Sequence, residues 1–343
     1  MATFYVCPNA TAGSNNGTSW ADAYTSLATA RAANVGNLVT GTDQHIYLCS
    51  GDTSNPDELN QNDWRAYVTS PTYNIIVSAV TDHGGKWNPN CYTIEGNGTG
   101  NIFLLDDQSI DIIGLQINRS FGGASSRGIY IGAGGAVLRS CTWENNIFRG
   151  NGLQTVGVHV TTYSTDADSV LYCRNNIFYD MTANAIYSND AGSTSMEYYH
   201  NNTAYSCGTS FYTSTTNAEW KNNVAVSSTT NDYQGTALSA SSTNNAGKDG
   251  VNINYYVFGS SPVYLTAYTG NEIFVDPDND DYHAVVDGPL DGAGEDLSSI
   301  FTMDIDLQTR VSPWTIGADD PNAGGEPPSA YIIPEYARIL LCS

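Results

Sequence analysis

Four charged residues of this chain occupy the same position in a repeated motif. The motif is charged residue–Asn–Asn, and the charged position is filled by Glu144, Arg174, His200 and Lys221. If each repeat is one coil, the four side chains form a column with a spacing of about 4.8 Å. A Glu and a His beside an Arg are the residue types for acid–base chemistry in an exposed polar groove. We favour the alternative of a solvated turn in which alternating charges avoid like-charge neighbours, because catalysis needs a cleft and this column is expected to be open.

Two groups of carboxylates suggest other chemistry. Asp106, Asp107 and Asp111 are clustered, but no hydrolase motif surrounds them, and a charged turn between strands is the favoured interpretation. Residues 276–281 read Asp-Pro-Asp-Asn-Asp-Asp and place carboxylates at alternate positions, as calcium loops do. The stretch lacks the Gly and the distal Glu of an EF-hand, so a closing turn without calcium is favoured there.

The remaining candidate residues indicate structural roles. His159 and His283 lie in strand-like surroundings and are expected to be structural rather than metal ligands. No GxSxG, Walker, HExxH or CxxC motif is present. The seven cysteines are scattered, which argues against a disulfide framework or a zinc site and favours buried free thiols made in a reducing compartment.

Internal repetition determines which elements hold these residues. The Asn pairs begin at positions 145, 175, 201 and 222, with a degenerate fifth copy at 244, so the spacings are 30, 26, 21 and 22 residues. Self-similarity at this period is typical of a solenoid. The Leu frame of leucine-rich repeats is missing, and short alternating runs separated by Gly, Asn, Asp or Ser favour coils of three strands and three turns. Asn pairs suit such turns because they tolerate left-handed backbone and hydrogen-bond along a ladder.

The sequence therefore predicts an all-β chain, a right-handed parallel β-helix. Residues 19–34 are predicted to form one amphipathic helix, which begins with a Ser19-to-Asp22 capping box and carries Trp20, Tyr24, Leu27 and Arg31 on one stripe. This helix is expected to plug the first coil, because an open end exposes strand edges. The predicted parts are the N-terminal strand and cap (1–44), the coils (45–269), a segment closing the other end (270–320), and a linker with an apolar tail (321–343).

Two groups of motifs mark the ends of the chain. They are FYVCP at 4–8, GTSWADAY at 17–24, FVDP at 274–277, DYH at 281–283, GPLDGAG at 288–294, DID at 304–306, Arg310 and IGAD at 316–319. With these motifs the chain resembles right-handed β-helix proteins of the pectin-lyase-like superfamily over roughly residues 3–318. The superfamily includes lyases, hydrolases, esterases, adhesins and phage spikes, so the resemblance implies a fold and not a chemistry.

The same resemblance argues against catalysis. Polysaccharide lyases of this fold use an Arg or Lys base with acidic residues that hold calcium. This chain has only three lysines, and no lyase motif surrounds Arg119, Arg127, Arg139 or Arg149. We therefore predict no catalytic, metal-binding or cofactor-binding residues, with calcium left as a less favoured possibility, and expect the protein not to be an enzyme.

Charge restricts the partners. There are 35 acidic and 12 basic residues, a net charge of -23, which repels nucleic acid and anionic membranes. No apolar run approaches the roughly 18 residues needed to span a bilayer, so no membrane insertion is expected. The first residues enter a strand pattern directly and show no secretory signal, although a signal removed from the natural protein remains an alternative.

The C-terminal tail is the predicted interaction site. Residues 321–328 have the composition of a linker. An apolar tail after a polar linker needs a surface to cover it, and docking on a partner, as an added strand, is favoured over folding back on the solenoid. The interaction residues are Tyr331, Ile332, Ile333, Tyr336, Ile339, Leu340 and Leu341.

These features favour a virion surface structural protein made in the host cytoplasm. It would be a capsid decoration protein or a spike or fibre component, homo-oligomeric, and docked through its tail on other virion proteins or sister subunits. A cell-surface glycan is a further candidate partner. The alternatives are a polysaccharide lyase or glycoside hydrolase that degrades a cell-surface or matrix glycan, and a secreted, extracellular bacterial adhesin.

Overall fold

The chain forms a right-handed parallel β-helix. The computed structural model describes residues 1–120, 122–123, 126–133, 139–162, 164–189, 194–235, 239–248 and 259–324. Between His45 and Gly235 the described coils visit sheet 1, sheet 2 and sheet 3 in the same order, and their strands pair in parallel with the equivalent strands of neighbouring coils. The predicted fold is confirmed.

Sheet 1 contains β1 (Ala2–Val6), β2 (His45–Cys49), β5 (Ile75–Ala79), β8 (Ile110–Ile113), β11 (Ser140–Glu144), β14 (Val170–Arg174), β17 (Met196–His200) and β20 (Ala218–Lys221). Sheet 2 contains β3 (Asp57–Leu59), β6 (Thr93–Gly96), β9 (Gln116–Arg119), β12 (Ile147–Arg149), β15 (Ile177–Tyr179), β18 (Thr203–Tyr205), β21 (Val224–Val226), β23 (Ala246–Gly247) and β24 (Val263–Tyr264). Sheet 3 contains β4 (Asn62–Asp63), β7 (Asn101–Leu105), β10 (Arg127–Ala133), β13 (Val156–Thr162), β16 (Asn184–Ser188), β19 (Thr209–Thr213) and β22 (Asn231–Gly235).

The core is a set of columns of equivalent side chains. In sheet 1 the strand register stacks Ile112, Trp143, Cys173, Tyr199 and Trp220, all at most 1% exposed. The Tyr199 and Trp220 rings stack with centroids 4.1 Å apart. Burial of each large apolar side chain contributes about 1.5–3 kcal/mol, so the columns supply much of the stabilisation of the coils.

Corner 1, the turn between sheet 1 and sheet 2, is built by the Asn pairs. The first Asn of each pair is in the left-handed region, with φ between 51° and 56° at 145, 175, 201, 222 and 244. The second Asn points inward and forms a ladder. Asn176 Nδ2 donates to Asn202 Oδ1 at 3.0 Å, and Asn202 Nδ2 donates to Asn223 Oδ1 at 3.0 Å. The four predicted copies and the degenerate fifth therefore occupy equivalent corners.

The N-terminal cap is shorter than the predicted helix 19–34. Trp20–Asp22 is a 3-10 turn, in which the Asp22 amide donates to Ser19 Oγ at 3.2 Å, as the capping box predicts. Tyr24 then bridges Val6 in parallel, and α1 begins afterwards at Leu27–Asn34 with Ser26 as its N-cap. The bridge to the first strand interrupts the helix, because its backbone groups are committed to β1. Leu27 and Ala30 of α1 are fully buried in the core and cover the first coil.

A second short helix, α2 (Leu38–Gly41), follows the cap. The remaining elements form the cover segment, residues 270–324. It contains α3 (Gly270–Ile273), β25 (Phe274–Asp276), a 3-10 turn at Pro277–Asn279 and β26 (Asp281–Ala284), which pairs with β25 antiparallel. Among the described residues, no helix has both the length and the apolar character to cross a membrane.

The cover segment lies along the outside of corner 1. The outward Asn of four copies, at 175, 201, 222 and 244, donates to its backbone. Asn175 donates to the Met303 carbonyl at 2.7 Å, and Asn222 donates to that of Glu295 at 2.8 Å. Asn201 donates to the carbonyls of Thr315 and Gly317 at 3.0 and 2.9 Å. The sequence predicts that this segment closes the C-terminal end of the solenoid, whereas these contacts run along its side.

Most cysteines behave as predicted. Cys49, Cys91, Cys141, Cys173 and Cys207 are free and buried. Burial raises the pKa of the Cys91 thiol to about 12, so this group stays protonated at neutral pH. Cys7 is buried too, but it is disulfide-bonded, so the expectation of a free thiol is wrong at that position.

Candidate functional site

The charged column predicted from the repeats exists but is covered. Glu144, Arg174, His200 and Lys221 pair in register on neighbouring strands of sheet 1. His200 is 0% exposed and Glu144 only 5%. The expectation of an open, solvated column is wrong, because the cover segment lies on corner 1 beside it and brings Glu295 to 2.9 Å from the Lys221 ammonium group.

An ion pair and a hydrogen bond satisfy the polar side chains of this column. Arg174 Nε lies 2.6 Å from Glu144 Oε2, and His200 Nε2 lies 3.0 Å from Glu219 Oε1. Burial lowers the pKa of His200, which outweighs the hydrogen bond to Glu219. Paired and enclosed in this way, the column has the features of a structural network rather than of an acid–base site.

The clustered aspartates bind different partners. Asp106 lies 3.8 Å from an Arg65 nitrogen, and Asp107 lies 3.1 Å from one of Arg139. Asp111 accepts hydrogen bonds from the Asn74 amide group and the Thr142 backbone, and burial raises its pKa to about 7.

The acidic stretch 276–281 contains the turn between β25 and β26. Its carboxylates contact cationic groups. Asp280 lies 3.4 Å from an Arg149 nitrogen, and Asp281 lies 3.3 Å from the Lys86 ammonium group.

An aromatic column lies on the outer face of sheet 3. Strand register aligns Tyr130, His159, Tyr187 and Tyr212 on four successive coils, followed by Gln234 on a fifth. Their ring centroids are separated by 5.2, 4.7 and 4.4 Å in that order, and the last pair is stacked within 10° of parallel. Each ring is partly exposed, so the column forms a continuous aromatic surface along the solenoid.

A groove of about 290 Å³ opens beside Tyr187 and Tyr212 of this column. This volume lies just below the usual range for small-molecule sites, about 300–1,000 Å³. Within it Asn184 Nδ2 donates to the Thr209 carbonyl at 3.2 Å, and the Thr209 hydroxyl donates to Gln234 Oε1 at 3.3 Å. The lining consists of Thr182, Ala183, Asn184, Tyr187, Gly208, Thr209, Tyr212, Thr230 and Gln234.

The lining of the groove is uncharged, and Arg127 lies at the opposite end of the aromatic column. None of the nine lining residues is acidic or basic. The Arg127 guanidinium lies 4.6 Å from the centre of the Tyr130 ring. Burial, with a smaller contribution from Arg127, lowers the pKa of His159 to about 4, so its imidazole is neutral at physiological pH. His159 is therefore part of an aromatic surface rather than a charged group.

Sequence reasoning missed this groove, although a signal for it was present. An apolar residue precedes a Tyr or His on the third strand of four coils, as in Ile129-Tyr130 and Phe211-Tyr212. The spacings between successive members of the column, Tyr130, His159, Tyr187 and Tyr212, are 29, 28 and 25 residues, close to those of the Asn pairs. Alternation on a strand sends the apolar residue inward and the aromatic residue outward.

The predicted interaction residues of the tail, Tyr331 to Leu341, lie outside the described residues. His283 lies in the cover segment, where its Nε2 is 3.1 Å from Asp306. None of the residues singled out from the sequence lines the groove. His159 comes nearest to it, because it pairs in register with the lining residue Tyr187 in the aromatic column.

No protein-family model matches the chain, and no curated protein matches it either. The resemblance to pectin-lyase-like proteins is supported at the level of the parallel β-helix architecture. Because one fold serves many activities, the geometry of the groove is the better guide to function.

Proposed function

We propose that this protein is a virion surface protein that binds a neutral glycan in the groove on sheet 3. The observation that carries the proposal is the aromatic column with an uncharged polar groove beside it. Sugars present C–H groups next to hydroxyls. Tyr187 and Tyr212 offer aromatic carbon, while Asn184, Thr209 and Gln234 offer amide and hydroxyl groups within the same groove.

The net negative charge of the protein restricts the class of glycan that the groove is expected to bind. A net charge of -23 repels uronic acids, sulfated sugars and sialic acids at long range. With no cationic side chain in its lining, the groove offers such ligands no local compensation. A neutral oligosaccharide therefore fits better than an acidic one.

The same lining favours binding over hydrolysis. Glycosidases act with a pair of carboxyl groups that flank the scissile bond. The groove provides no Asp or Glu among its nine lining residues. A depolymerase activity is thus the less favoured candidate, and an assay for new reducing ends in the presence of wild-type protein would detect it.

A matched pair of variants tests glycan binding. Tyr187 and Tyr212 stack at 4.4 Å on sheet 3, while Tyr172 and Tyr198 stack at 5.0 Å on sheet 1. On an array of neutral and acidic glycans, wild-type protein is expected to bind a neutral class. Tyr187→Ala and Tyr212→Ala should each weaken that binding by roughly tenfold or more, the loss of one aromatic anchor at a site centre.

Tyr172→Ala and Tyr198→Ala remove the same ring and the same kind of ladder contact, and they should leave binding unchanged. Equal losses in both pairs would assign the effect to the stability of the solenoid and contradict the groove. The virion location is tested separately by deleting residues 327–343, which should abolish association with the particle while glycan binding persists.

A further inference from the structure

A second cluster of chemically competent side chains lies in the cover segment, away from the groove. One ligand atom each from His283, Asp306 and Asp319 lies within 4.8 Å of the others. His283 Nε2 is 3.1 and 3.2 Å from the two Asp306 oxygens. We propose that these three side chains bind a first-row divalent transition-metal ion such as Zn²⁺.

Backbone geometry holds the three ligands in place. His283 lies on β26, and the neighbouring Ala284 amide donates to Asp319 Oδ2 at 2.8 Å. Asp304 Oδ1 accepts from the Asp306 amide at 3.0 Å and fixes the turn that presents that carboxylate. Three stretches that are separate in sequence thus converge, and the ion ties them together.

The orientation of the imidazole suits metal binding. His283 Nδ1 hydrogen-bonds to the Asp281 carboxylate, which leaves Nε2 directed at Asp306. A metal-ligating histidine characteristically binds a carboxylate or carbonyl through its other ring nitrogen, which fixes the tautomer and increases ligand basicity. Asp281 is therefore a positioning residue for the site.

The charge around the cluster also favours a cation. Asp304, Asp319 and Asp320 are at most 5% exposed, and Arg310 is buried beside them. Asp304 Oδ2 is buried without a hydrogen-bond partner among the described residues. Buried carboxylates need compensating charge, which Arg310 and a protonated His283 supply in the metal-free protein. A divalent ion bound to His283 Nε2 replaces that proton and brings one more positive charge.

The donor set selects the ion. Zn²⁺ accepts one imidazole nitrogen with carboxylate oxygens at about 2.0–2.2 Å, whereas Ca²⁺ prefers six to eight oxygens. Gly85 of the solenoid packs against the cluster, since a Cβ there would lie 2.4 Å from His283 Nε2. The site is therefore enclosed by the coil on which the cover segment lies, and metal binding should strengthen the attachment of this segment.

The test uses the full chain after treatment with a chelator and dialysis. Equilibrium dialysis with Zn²⁺, Mn²⁺, Ca²⁺ or Mg²⁺, followed by elemental analysis, should show one Zn²⁺ per chain and a raised Tm. Asp319→Asn and His283→Gln should abolish retention. Asp281→Asn should weaken binding by roughly 10–100-fold, because it removes only the orienting hydrogen bond.

His45→Gln is the control, since His45 faces a single carboxylate, Asp43, at 3.8 Å; it should retain the ion. Circular dichroism of each variant separates loss of the site from loss of the fold. Failure of wild-type protein to retain any ion, or retention of Ca²⁺ alone, would overturn the proposal and leave the cluster as a salt bridge between His283 and its two aspartates.

Discussion

Corner 1 and the outer face of sheet 3 are both built from stacked equivalent residues, but they differ in solvent exposure. In both, equivalent residues of successive coils stack at the spacing of strands. At corner 1 the column is charged and is enclosed beside the cover segment, with His200 0% exposed. On sheet 3 the column is aromatic and its rings remain partly exposed. A regular ladder by itself is therefore structural, and exposure decides which ladder is available to a ligand.

The Asn pairs explain why corner 1 is the covered one. The inward Asn of each pair continues the ladder, whereas the outward Asn at positions 175, 201, 222 and 244 donates to carbonyls of the cover segment. The left-handed φ of the outward Asn directs its side chain away from the core. One dipeptide thus stabilises the coil and attaches the segment.

The largest expected effect on the free energy of unfolding comes from weakening the attachment of the cover segment. Arg310 is 6% exposed and donates to Asn175 Oδ1 at 2.9 Å and to the Gly317 carbonyl at 3.0 Å. Arg310→Ala removes the donor to buried Asn175 Oδ1 and the buried cation that faces Asp304, which should cost about 3–5 kcal/mol in the free energy of unfolding. Urea denaturation measures the change.

Arg65→Ala is the matched control, because Arg65 is 44% exposed in its ion pair with Asp63 and should contribute at most about 1 kcal/mol. Proteolysis of the Arg310→Ala protein should cut the cover segment before the coils. Equal resistance of the two regions would show that the cover is not attached through Arg310.

A smaller effect is expected from one step of the inner ladder. Asn202 Oδ1 accepts from the Asn176 backbone and side chain, at 3.1 and 3.0 Å. Asn202→Ala removes this acceptor and should destabilise the protein by about 2–3 kcal/mol, because buried donors lose their partner. Asn231→Ala, on the partly exposed edge of sheet 3, should change stability by less than about 0.5 kcal/mol. Comparable losses at both positions would contradict a special role for corner 1.

The smallest expected effect is the pH dependence of stability that the partly buried His159 imidazole causes. The pKa of His159 is lowered to about 4, against about 6.5 in an unfolded chain. The unfolded state therefore binds more protons between these values, and stability falls as pH falls from about 6.5 to about 4. His159→Gln should reduce that loss of stability by about 1–2 kcal/mol, as measured by urea denaturation at several pH values.

Glycan affinity of wild-type protein should stay constant between about pH 5.5 and 8, because His159 remains neutral there. A loss of affinity centred near pH 6.5 would show that the aromatic column carries a titrating charge. The aromatic column would then not differ from the charged column of corner 1 in the way described above.

Much of the fold was predictable because it repeats. The spacing of the Asn pairs gave the coil, the turn and the register of sheet 1, since identical local chemistry must recur at identical corners of a solenoid. The helix 19–34 was predicted too long, because the backbone pairing of Tyr24 with Val6 interrupts it and is a contact that no local pattern encodes.

The candidate site was harder to predict for a physical reason. A charged residue in a repeat and an aromatic residue in a repeat both indicate outward-facing columns. Which of them is buried depends on where residues 270–324 lie, and the backbone carbonyls that bind Asn175, Asn201 and Asn222 carry no side-chain signature.

The sequence by itself determined the parallel β-helix, the equivalence of its corners and a charge that disfavours anionic partners. Only the tertiary structure decided that the cover segment lies along corner 1, that the charged column is enclosed, and that the groove on sheet 3 stays open. Periodic patterns specify contacts between neighbouring coils, because each coil repeats the last. The path of a non-repeating segment depends on long-range hydrogen bonds that only the folded chain brings together.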